Sequence, residues 1–108
     1  MPGDTKLSVL VRVEPGSLGP DGLDHVEGYC VVANKYFQKL YPQLIEWQIV
    51  PRYDKSLPEI DFCLNKKRLT LEQTNKMLEL IDQNEEDFES ETMEHISNLI
   101  DKYLGHQY

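Results

Sequence analysis

The chain has 108 residues, of which 40% are hydrophobic and 28% charged, and it carries a formal net charge of −8. That length supports one hydrophobic core without disulfides or metal, and the balance of apolar and charged residues excludes wholesale disorder. No run approaches the roughly 20 apolar residues of a membrane helix, and residues 1–6 lack a basic segment leading into an apolar one. A cytoplasmic protein that does not engage membranes is therefore expected.

Residues 6–13 alternate, with Leu7, Val9, Val11 and Val13 on one side and Ser8, Leu10 and Arg12 on the other. This period of two predicts a strand. Residues 15–22 hold three glycines and two prolines and predict a loop. A helix follows. Asp24 and Glu27 have capping-box spacing, while Val26, Tyr29, Cys30, Ala33, Phe37 and Leu40 recur at three- and four-residue intervals, with a stop near Tyr41 before Pro42.

Alternation returns over residues 44–50 through Ile45, Trp47 and Ile49, and Pro51 ends that strand or marks an edge. After the connection 51–58, a third strand runs through Ile60, Phe62 and Leu64, with Glu59, Asp61 and Cys63 on its other face. Thr70 and Gln73 have capping-box spacing ahead of Leu71, Thr74, Met77, Leu78 and Ile81. A last helix carries Phe88, Met93, Ile96, Leu99, Ile100, Tyr103 and Leu104, and Gly105 suits its end.

The expected fold is one α+β domain over residues 1–108, a three-stranded mixed sheet with three helices in the order β-α-β-β-α-α. The β-α-β unit makes strands one and two parallel, and strand three is expected as the antiparallel neighbour of strand two. Trp47 is read as a core aromatic, or as a partner-binding anchor if it faces solvent. Cys30 and Cys63 sit in apolar segments and read as thiols packed as small hydrophobes. With three scattered histidines they match no zinc spacing, so no metal and no cofactor is expected.

Charge is concentrated at one end. Residues 82–108 form an acidic helical segment with eight acidic side chains against one basic. Glu85, Glu86, Asp87, Glu89, Glu91 and Glu94 follow one another without a cation. Carboxylates in a first helical turn suit the helix dipole, but so many together repel. A docking surface for a basic protein partner is one reading of them, with Tyr103 contributing to a dimer contact. Lys66, Lys67 and Arg68 are the one basic run. They are too few for a phosphate-binding surface, so nucleic acid is not an expected partner.

The glycines of residues 14–22 match neither GxGxxG nor the P-loop, and Pro20 and Asp21 oppose phosphate there. The ends of the two parallel strands nonetheless bring Arg12, Glu14, His25, Arg52, Tyr53 and Asp54 to one expected edge, where they supply an acid, a base and an anion clamp. Two functions follow. The first is a non-enzymatic interaction protein or accessory, regulatory subunit, binding a protein partner or a second copy of itself. The second is a binder of a small anionic metabolite, or a small enzyme, with its site at loops 14–25 and 51–58.

Overall fold

The structure, a computed structural model, describes residues 6–105. Among them, strands β1 (Leu7–Val13), β2 (Ile45–Pro51), β3 (Ile60–Leu64) and β4 (Lys67–Arg68) form one sheet in the order β2-β1-β3-β4. The helices are α1 (Gly22–Phe37), α2 (Leu71–Leu78) and α3 (Glu85–Tyr103), with 3-10 turns at Pro15–Leu18 and Glu79–Ile81. The protein is α+β with three helices and a mixed sheet, as expected.

Two features of the sheet correct the sequence reading. First, it has four strands, not three. Leu64 and Lys67 pair across a turn in which Asn65 and Lys66 take φ of 53° and 70°, and the chain returns as β4. Left-handed residues at both central positions suit a two-residue hairpin. Second, β3 does not lie beside β2. It pairs antiparallel with β1, Val9 opposite Phe62, while β1 pairs parallel with β2 on its other side, Val9 opposite Trp47. The connection 52–59 crosses the end of β1 instead of closing a hairpin.

The outer edge of β2, which such a hairpin would need, is occupied by side chains. The Asn34 amide donates to the Ile49 carbonyl at 2.8 Å and accepts from the Ile49 N–H at 2.9 Å, and Gln38 donates to the Trp47 carbonyl at 3.0 Å.

The sheet buries one face. Leu7, Val9, Val11, Ile45, Trp47, Ile49 and Phe62 meet Val26, Tyr29, Ala33 and Phe37 of α1 and Phe88, Ile96 and Ile100 of α3. The last helix thus shares a layer with α1. Phe88 stacks on Trp47 at 5.6 Å between ring centroids and meets Phe62 at 5.8 Å, and its burial contributes roughly 2–3 kcal/mol. Trp47 is interior, and its indole N–H donates to the Leu40 carbonyl at 2.9 Å. Among the described residues, no helix covers the other face of the sheet. It carries Ser8, Leu10, Arg12, Glu46, Gln48 and Cys63 and holds a shallow groove of about 290 Å³.

Local signals fare unevenly. Thr70 and Gln73 form the expected capping box, with Gln73 N–H donating to Thr70 Oγ1 at 3.1 Å and Thr70 N–H to Gln73 Oε1 at 2.9 Å. Asp24 is not the cap of α1. That helix begins at Gly22, whose added Cβ would lie 1.7 Å from the Pro15 carbonyl oxygen. The close fold-back of residues 15–22, rather than a side-chain cap, fixes its start. Its end falls at Phe37, before Tyr41 turns the chain with a φ of 49°.

Candidate functional site

The strand ends do bring Glu14, Arg52, Tyr53 and Asp54 to one edge, and each has a local partner. Arg52 donates to Glu14 at 3.1 Å, to the Leu57 carbonyl at 2.9 and 3.1 Å and to the Lys55 carbonyl at 3.1 Å. Lys55 adds a 3.5 Å contact to the other Glu14 oxygen. Arg52 therefore pins the 52–59 connection to the end of β1. Asp54 accepts from the Ser56 hydroxyl at 2.6 Å and from its N–H at 3.0 Å, which holds the carboxyl below the usual carboxylate range. Tyr53 donates to Glu27 on α1 at 3.0 Å, and that bond raises the phenol.

Arg12 meets this group from the uncovered sheet face, its charge adding to the lowering of Asp54, and His25 lies elsewhere. Arg12 is on the uncovered sheet face, donating to Asp61 at 2.7 Å and to the Pro58 carbonyl at 2.8 Å. Arg68 completes the group at 3.2 Å from Asp61, so two guanidinium groups flank one carboxylate that is 7% exposed. His25 sits on the α3 flank of α1, edge-on to Tyr103 at 6.4 Å. It borders an open cleft of about 370 Å³ between the Gly16–Asp21 loop and Ile100, Asp101 and Leu104. Of the six expected site residues, five thus gather about the 52–59 connection, and His25 stands apart.

The acidic run is divided as well. Glu86, Asp87 and Glu94 are exposed, whereas Glu85, Glu89 and Glu91 are half-buried on two flanks of α3. Asp87 and Asn84 cap the helix, and Glu91 accepts from Gln83 at 3.2 Å. Glu85 and Glu89 line a cleft of about 220 Å³ with Asp61, Arg68 and Thr74. Burial, then a hydrogen bond and repulsion from Glu85, then the charge of Glu59 push Glu89 up to about 7. Burial also raises the Cys30 thiol to about 11, in keeping with a packed, unreactive side chain. Among the described residues, no three His, Cys, Asp or Glu side chains converge to hold a metal ion. No helix among the described residues is long and apolar enough to cross a membrane.

Sequence reasoning missed the surface that stands out, the solvent side of α1. Leu23, Val31 and Val32 are exposed there, Leu23 at 71% and Val31 at 58%. A tyrosine closes each flank. Tyr53, 57% exposed, reaches Glu27 from beyond β2, and Tyr103 of α3 passes over Gly28, where an added Cβ would lie 2.5 Å from its hydroxyl. The signal was present as three aliphatic residues off the apolar stripe, Val31 and Val32 adjacent. Comparison with protein-family models, with curated proteins and with solved structures gives no match for this chain.

Proposed function

We propose that the protein is a non-enzymatic interaction module that docks a protein partner on the solvent side of α1. The observation that carries this reading is the adjacent exposed pair Val31 and Val32 on α1, with Leu23 exposed two turns earlier and Tyr53 and Tyr103 on the flanks. Exposed aliphatic neighbours rimmed by polar groups are a common make-up of a docking surface, and tyrosine is among its favoured anchors. Asp24 and Glu27 lie toward the start of this side and Lys35 one turn beyond Val31, so a partner that sets an apolar ridge on Val31 and Val32 with charges of both signs around it fits best.

The metabolite-binding alternative has less support. Arg12 and Arg52 direct their donors at carboxylates and loop carbonyls of the chain itself. Asp21 and Asp101 line the cleft beside His25, and carboxylates there oppose an anion. Affinity capture with the tagged wild type and with Val31→Asp/Val32→Asp tests the docking reading. A stoichiometric partner retained by the wild type and lost by a folded double variant is expected. An identical partner set from both proteins would refute it.

A further inference from the structure

The sheet leaves β2 as an edge strand, with one row of backbone groups turned away from β1. Arg52 N–H donates to Val13 and Leu7 N–H to Leu44, so even-numbered residues of this segment face β1 and Ile45, Trp47, Ile49 and Pro51 face outward. Such a row is a template for a further strand. Its middle is already engaged. Asn34 bonds both groups of Ile49, its amide nitrogen also reaching the Cys30 carbonyl of its own helix at 2.9 Å, and Gln38 takes the Trp47 carbonyl. At the strand start, Ile45 N–H donates to the Tyr41 carbonyl at 2.9 Å. At its end, Pro51 has no N–H to offer.

We propose that Asn34 and Gln38 form a clip that closes the outer edge of β2 against strand addition and so keeps two copies of this chain from pairing edge to edge. Asn34 is suited to the task because one amide presents a donor and an acceptor side by side, as a neighbouring strand does. It stands one turn from Gln38 on the same flank of α1, so one helix reaches two successive outward-facing residues of β2. Among the described residues the opposite sheet edge has no such clip; it is protected by the brevity of β4 and its Lys67 and Arg68.

The test compares wild type, Asn34→Ala/Gln38→Ala and Gln38→Ala by sedimentation velocity over a concentration series, with amide hydrogen exchange on the same samples. The double variant is expected to self-associate at least about tenfold more tightly than wild type, since each freed backbone group gains a partner in the second copy. The Ile49 amide should exchange fast when dilute and slow when concentrated, while Gln48 and Val50, which face β1, stay protected throughout. Should the double variant not fold, Gln38→Ala decides alone. Gln38 is exposed and its loss leaves α1 intact, and an increase in self-association of about fivefold is expected. A folded variant whose self-association and Ile49 exchange remain those of the wild type would overturn the clip.

Discussion

The phenol of Tyr29, fully buried in α1, donates a 2.8 Å hydrogen bond to the Ile96 carbonyl of α3. Together with the 2.8 Å bond between the Tyr36 hydroxyl and His95 Nδ1 it ties the two helices that share the inner face of the sheet, and burial raises the Tyr29 phenol far above its ordinary range. Tyr29→Phe keeps the packing and removes the Tyr29 bond. It should cost about 1 kcal/mol, a fall in Tm of roughly 4–8 °C, measurable by thermal unfolding.

Asp61 anchors the ion pairs of the uncovered sheet face, held between Arg12 at 2.7 Å and Arg68 at 3.2 Å. Removing it leaves the half-buried Arg12 without a counter-charge. Asp61→Ala is expected to destabilise by about 2–3 kcal/mol in urea unfolding. Arg68→Ala, at the more exposed side chain, should cost under about 1 kcal/mol. Equal costs would contradict the asymmetry.

Glu89 binds its proton more tightly folded, at about 7, than its ordinary value of 4.5. Between those values the folded state holds a proton that the unfolded state has lost, so stability falls as pH rises through about 7. Glu89→Gln should flatten Tm against pH across that window and raise Tm above it. Thermal melts of both proteins at a series of pH values read this directly.

Two glycines in one loop make opposite predictions. A Cβ on Gly22 would meet the Pro15 carbonyl at 1.7 Å, a backbone atom that cannot step aside, whereas one on Gly16 would meet only the Glu14 side chain at 3.9 Å. Gly22→Ala should cost about 2–4 kcal/mol and Gly16→Ala less than about 0.5 kcal/mol, compared by chemical denaturation.

Strong periodicity carried most of the fold. The alternation of Leu7, Val9, Val11 and Val13, the stripe from Val26 to Phe37 and the Thr70–Gln73 box all appear as the sequence predicts. What escaped lies where a residue acts through a non-local partner. β4 was hidden because Lys66 turns the chain with positive φ where glycine would have announced it, and Lys67 and Arg68 carry no apolar alternation. The neighbour of β3 was hidden because Asn34 and Gln38 read as helix surface, although they occupy the edge that β3 was expected to use.

The candidate site was legible in composition and not in direction. Arg12 and Arg52 point back into loop carbonyls, and His25 turns toward α3. Side-chain direction on a strand end depends on which loop crosses it, and the crossing of 52–59 over β1 was not encoded in any local pattern. Leu23, Val31 and Val32 lie off the stripe that defines the core, and periodicity alone does not single them out.

The most direct test of the docking surface is site-specific photo-crosslinking in the native cell, with a photoreactive amino acid placed at Leu23, at Val31 and, as a remote exposed position, at Glu72 on α2. The account predicts one shared protein adduct from Leu23 and Val31 that is absent from Glu72. No adduct at either α1 position, or the same adducts from all three, would contradict it.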